Sequence, residues 1–214
     1  MAMVIVPVGM MLGEYFRPGG EPSSAPEHWH ISVGGYAEHL TNDEVKVWAA
    51  AMLEPETQAR LEGTREALER TVGTRAEGAV ADPAPVVDRL LDRGLLVEFD
   101  PVDGDLEAFA RRHRLFPLGV GMGNTQDDPL VYRIAVGNQA RIGVNGDVYA
   151  LWSNSLYFLN LWESCEQFAK EMNANAPAGE HIPELDTDTV TRGLAANIPL
   201  LVSSECAFLD PIFE

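Results

Sequence analysis

The residues best able to do chemistry in this chain stand between Glu27 and His39. His28-Trp29-His30 is the histidine cluster of the sequence, with Glu27 before it and His39 after it. Residues two apart on a strand share a face, so His28 and His30 could offer two imidazoles to one metal ion. A metal site also needs a third and a fourth ligand in fixed geometry, and beyond these no cysteine or further histidine stands near. The expectation is a structural or solvent-facing role, with no metal and no cofactor assigned. Whether His28 and His30 hold a metal stays open at this point.

Other constellations give less. Gly119-Val-Gly-Met-Gly-Asn124 invites a phosphate-loop reading, since backbone amides in a glycine-rich turn can cradle an anion. That reading needs a helix opening directly after the glycines and usually a lysine. Neither follows, so a loop between domains is expected. Asp100, Asp103 and Asp105 lack the closing glutamate of a calcium loop and read as a turn. Ser203 and Ser204 sit in an apolar run that looks like a strand, with no base near in sequence. Cys165 and Cys206 lie far apart in apolar surroundings and read as buried thiols of a reducing compartment. No catalytic residue is assigned, and a small enzyme with an unrecognised site remains a third class of function.

The single basic feature is Ala108 to Phe116, where Arg111, Arg112 and Arg114 alternate with aromatics. It suits contact with phosphate or with an acidic peptide, or else a solvated helix face. These arginines and Trp162, in the aromatic-rich second half, are the candidate partner-binding residues. The surrounding charge is of the opposite sign. The net charge is −18, with 8 Lys+Arg against 19 Asp+Glu in residues 1–105 and 7 against 14 in residues 106–214. A field of that sign opposes approach to a nucleic-acid duplex.

The elements that must position these residues follow from local pattern. Val4 to Val8 reads as a strand, and Arg17 to Glu27 (RPGGEPSSAPE) as a linker. Trp29 to Leu40 alternates around Gly34-Gly35, a hairpin signature. Thr41 and Glu44 have capping-box spacing ahead of a helix over Asp43 to Leu53. A second helix is expected from Glu56 to Thr71, a third from Pro83 to Gly94, then a strand from Leu95 to Phe99. In the second half, Leu159 to Met172 reads as a helix and Ile198 to Val202 as part of the closing strand. The apolar start, Met1 to Leu12, has no basic region or cleavage site, and no run is long enough for a membrane helix; the expected location is cytoplasmic.

The order recurs. Ile31-Ser-Val-Gly34 and Ile134-Ala-Val-Gly137 align at an offset of 103 residues, which also sets Asn42 on Asn145 and Val45 on Val148. Thr189 to Val202 resembles Val86 to Val97 in the same way. Such self-similarity predicts duplication. The expected fold is α+β, tandem winged-helix repeats rich in helix with small antiparallel sheets. The expected division is 1–27 (strand and linker), 28–105 (first repeat), 106–128 (connection) and 129–214 (second repeat).

Within one repeat, Ile31, Val33, Leu40, Val45, Trp48, Val86, Leu90, Leu91, Gly94, Leu95 and Leu96 form a pattern that resembles the PqqD-like winged helices, which recognise the leader segments of ribosomal peptides. The resemblance implies a winged-helix fold and a peptide or protein partner. The reading is a non-enzymatic binding or accessory protein, with a homodimer open. The alternative is a DNA-binding regulator, against which Asp88, Arg89, Asp92 and Arg93 of the third helix sum to zero charge.

Overall fold

The computed structural model describes residues 3–18, 26–74, 78–176 and 183–212. Most of the Arg17–Glu27 linker, part of the 173–183 loop, and His181 lie outside them. The chain is mixed α+β, and every sheet is small and antiparallel.

The first half begins with β1 (Val4–Pro7), continues into the meander β2 (Met10–Tyr15), β3 (His28–Val33) and β4 (Tyr36–Leu40), and passes through helices α1 (Asn42–Ala50), α2 (Pro55–Ala59), α3 (Arg65–Thr74) and α4 (Ala84–Asp92). It closes on β5 (Leu96–Phe99), which returns to pair with β1. After α5 (Leu106–Arg112) the order recurs. Strand β6 (His113–Pro117) precedes the meander β7 (Val120–Gly123), β8 (Tyr132–Val136) and β9 (Gln139–Val144). Helices α6 (Gly146–Asn154), α7 (Leu161–Ala174), α8 (Thr187–Ala195) and α9 (Ile198–Ser203) follow, and β10 (Ala207–Pro211) returns to β6.

The recurrence extends to single bonds. Trp48 on α1 donates its indole N–H to Val8 O (3.0 Å), and Trp152 on α6 donates to Cys206 O (2.8 Å). Both indoles therefore reach the junction where the first and last strands of their half meet, since Val8 N donates to Leu95 O and Leu118 N to Cys206 O. Helix α1 opens on the Thr41–Glu44 capping box, and α6 on Asn145, whose side chain accepts from Val148 N. These caps lie 104 positions apart rather than 103. The register of β8 and β9 shifts between Ile134 and Ala135, adding one residue on β9.

Two cores share one strand. Alternation along β1 sends Ile5 into the cluster around Trp48, Ile31, Leu68 and Leu90, and sends Val4 and Val6 into the cluster around Trp152, Leu115, Ile134 and Leu201. Gly9 N donates to Leu209 O, and the buried Asp210 accepts from Gly34 N at 2.6 Å, tying the second half to the first hairpin.

Four local expectations need correction. The helix expected over Glu56 to Thr71 is broken into α2 and α3, because Leu61 turns left-handed (φ 56°) and carries Gly63 to where its carbonyl accepts from Ile5 N. A side chain at Gly63 would collide with buried Gln58. The run Ile198–Val202 is helix α9, with Pro199 in its first turn, and the closing strand lies beyond it. Ser203 and Ser204 accordingly end a helix, both hydroxyls donating to Leu200 O. The Gly119–Asn124 loop contains β7, which pairs with β8.

Candidate metal centre and partner surface

The first meander builds the most distinctive group of side chains. Gly34 (φ 56°) and Gly35 (φ 84°) both take the positive φ that a two-residue hairpin turn requires. That turn fixes the register: Val33 faces Tyr36, and three pairs further on His30 faces His39. On β2, Tyr15 is the partner of His28. Alternation buries Ile31, Val33 and Leu40 beneath the sheet and leaves Tyr15, His28, His30 and His39 together on the other face.

There His28 and His30 point their Nε2 atoms at one another, 2.9 Å apart. His39 stacks on both rings, at 4.2 Å from His28 and 4.7 Å from His30 between centroids, and Tyr15 stacks on His28 at 4.5 Å. One ring nitrogen from each of the three histidines lies within 4.8 Å of the others. His28 and His30 are half-buried and His39 is exposed. Loss of water around His28, then the nearness of His39 and His30, pushes its pKa below the ordinary imidazole value, with Glu27 opposing. The neutral, lone-pair-bearing form is favoured, the form a metal requires. Glu27 itself is paired with Arg17 at 2.6 Å.

The structure thus supplies the third imidazole that sequence spacing did not. His39 is eleven residues from His28, but a two-residue turn at Gly34-Gly35 places position 39 directly across from position 30, so hairpin register was the signal that could have found it.

The candidate partner residues are divided. Arg111, in the last turn of α5, pairs with Glu107 and lies over the Trp162 ring at 5.2 Å, bringing these two together. Arg112 donates to Ala108 O one helical turn back. Arg114 sits on β6, bonded to the Asp210 carboxylate at 3.0 Å and stacked on Phe116. On α4, Arg89 and Arg93 both reach the buried Glu44, and Arg93 also binds Glu38. Asp100 accepts from the amides of Val102 and Asp103, which lowers its pKa, and Asp105 caps α5. Both cysteine thiols are buried and free, and burial pushes each up to about 11.

A different surface stands out where α6 turns into α7. Leu156, Tyr157 and Leu159 are 59%, 82% and 71% exposed in a segment of four residues, a run of large apolar side chains that folding would ordinarily bury. Beside them opens a cleft of about 300 Å³ lined by Leu151, Phe158, Gln167, Phe168 and Glu171. Trp162, with Arg111 over it, lies in the first turn of α7, three residues beyond Leu159.

Among the described residues, no helix is long and apolar enough to cross a membrane. Compared with family models, curated proteins and solved structures, the chain matches none of them.

Proposed function

We propose that this chain is a non-enzymatic binding protein of two winged-helix-like repeats that recognises a protein or peptide partner through the apolar shelf of its second repeat. The observation that carries the reading is the exposure of Leu156, Tyr157 and Leu159 beside the cleft under Phe158 and Phe168. Exposed aromatic and aliphatic anchors beside a pocket are the features that dominate protein-partner energetics, and an adjacent Arg–Trp pair supplies a polar edge. In each half a strand, a three-stranded meander, a set of helices and a returning strand follow in order, and the helices closed by a returning strand support that part of the reading.

The DNA-binding alternative finds less support. Arg89 and Arg93 of α4 are occupied by Glu44 and Glu38, and Arg114 by Asp210, so most of the cations that would meet phosphate are neutralised within the fold. The test is a displayed random-peptide library panned against the full chain and against a Tyr157→Ser/Leu159→Ser variant. Enriched peptides should carry apolar anchors, lose binding to the variant, and bind almost equally at about 50 and 500 mM salt, because hydrophobic contact releases no counterions. Peptides that bind the variant as well as the wild type, or duplex retardation that weakens steeply with salt, would overturn the reading. Sedimentation of the same two proteins shows whether the shelf's partner is a second copy of the chain.

A further inference from the structure

We propose that His28, His30 and His39 form a binding site for one borderline divalent cation of the zinc class. Three imidazoles from two adjacent strands converge on one face, and their ring nitrogens already lie within 4.8 Å of one another. An ion held at about 2.0–2.1 Å by tetrahedral imidazole nitrogens separates them by about 3.4 Å. The 2.9 Å gap between His28 and His30 has to widen by about half an ångström, and His39 has to turn out of its stack and bring a ring nitrogen inward by up to about 1.4 Å.

The fold does not demand these residues. In the second meander, the positions of His28, His30 and His39 are held by Val131, Arg133 and Gly143, with Arg133 paired to Gly143 as His30 is to His39. That meander closes with no imidazole on this face, so stacking of three histidines is not a requirement of the architecture. Without an ion the facing Nε2 atoms of His28 and His30 pair with each other, one donating and the other accepting, while His39 stacks on both rings. A cation satisfies all three lone pairs at once. An all-imidazole set selects zinc, copper, nickel or cobalt over magnesium or calcium, whose preferred donors are oxygens. Three protein ligands leave a fourth place at the exposed His39 side for water or a ligand atom from outside, the open form of zinc coordination.

The experiment uses the full chain stripped with a chelator. Calorimetric titration with Zn²⁺ should show one equivalent per chain, and Co²⁺ should give the strong visible absorption of four-coordinate cobalt. His30→Phe and His39→Phe keep an aromatic ring in the stack, and circular dichroism checks their folding. Each should weaken Zn²⁺ binding by at least the roughly 10–100-fold that follows loss of a mere outer-sphere partner. Nitrogen-15 spectra of the wild-type imidazoles give a second readout that needs no variant: Zn²⁺ should shift the ring nitrogens of these three histidines together. Absence of saturable binding, affinity unchanged in both variants, or shifts at other histidines instead would overturn the proposal.

Discussion

Asp210 is the most informative single residue for the joint between the halves. Its side chain is 6% exposed on β10, with one oxygen accepting from Gly34 N at 2.6 Å and the other from Arg114 at 3.0 and 3.3 Å. Replacement by alanine leaves a half-buried N–H in a tight glycine turn without its charged acceptor, a loss of about 1.5–3 kcal/mol. Arg114 is 39% exposed and can turn to water, so its share is that of a surface pair, about 0.2–1 kcal/mol. Asp210→Ala should therefore destabilise by about 2–4 kcal/mol. Asp210→Asn keeps an oxygen for Gly34 N and should lose only about 1 kcal/mol. Arg114→Ala strands a buried carboxylate, so adding it to Asp210→Ala should cost less than the two singles combined, a coupling of about 1–2 kcal/mol. Urea denaturation of the wild type and these four variants reads these values. An alanine variant within 1 kcal/mol of wild type, or asparagine and alanine variants of equal stability, would refute the account of Asp210 as a hydrogen-bonded pin.

Further outcomes are expected from other parts of the fold. Trp48→Ala and Trp152→Ala should each lose about 3–5 kcal/mol in the same titration, since both indoles are buried and each substitution removes a hydrogen bond to a strand carbonyl. Glu205 holds φ 58° where the first half has Gly94, so Glu205→Gly should raise stability by about 0.5–1 kcal/mol, read as a higher thermal midpoint. Burial alone would raise the Glu44 pKa, but the Thr41 amide and hydroxyl with Arg93 and Arg89 outweigh it and hold it low. Its stabilising contribution is then complete above about pH 4.3, the ordinary glutamate value, and is lost as pH falls through the lower folded value. Glu44→Gln should flatten the acid limb of the stability–pH curve.

What local chemistry decides was legible in the sequence. The Thr41–Glu44 capping box, the Gly34-Gly35 hairpin and the Gly94 stop are each set by side chains within a few residues, and each is present. The breaks came where a distant group dictates the backbone. Nothing near Leu61 announces a left-handed turn; Ile5, far up the chain, needs a carbonyl partner and takes Gly63 O. The run Ile198–Val202 is short and wholly apolar, and periodicity cannot tell a buried strand from a buried helix at that length. Pro199 was the available signal, since proline suits the first turn of a helix. The histidine face failed for another reason. Spacing along the chain pairs His28 with His30 alone, and the three-histidine face exists only once β4 is laid beside β3.

The two halves show how one framework comes to carry different surfaces. Positions that close each half are similar in kind: a tryptophan donating to the strand junction, a polar N-cap on the first helix, a left-handed residue before the last strand. These are constrained by backbone hydrogen bonding, which admits few residue types at each. The outer face of each meander and the turn after the first helix carry no such constraint. In the first half that freedom holds Tyr15 and three histidines, where the second has Val131, Arg133 and Gly143. In the second half the turn after the first helix exposes Leu156, Tyr157 and Leu159, where the first has half-buried Met52 and Leu53 ahead of α2. The shelf and the histidine face thus occupy different positions of the repeat, so loss of one should leave the other intact. Tyr157→Ser/Leu159→Ser should abolish peptide capture while keeping wild-type Zn²⁺ affinity, and His39→Phe should do the reverse. A variant of either face that loses both activities while its circular dichroism is unchanged would show that the two surfaces are parts of a single site.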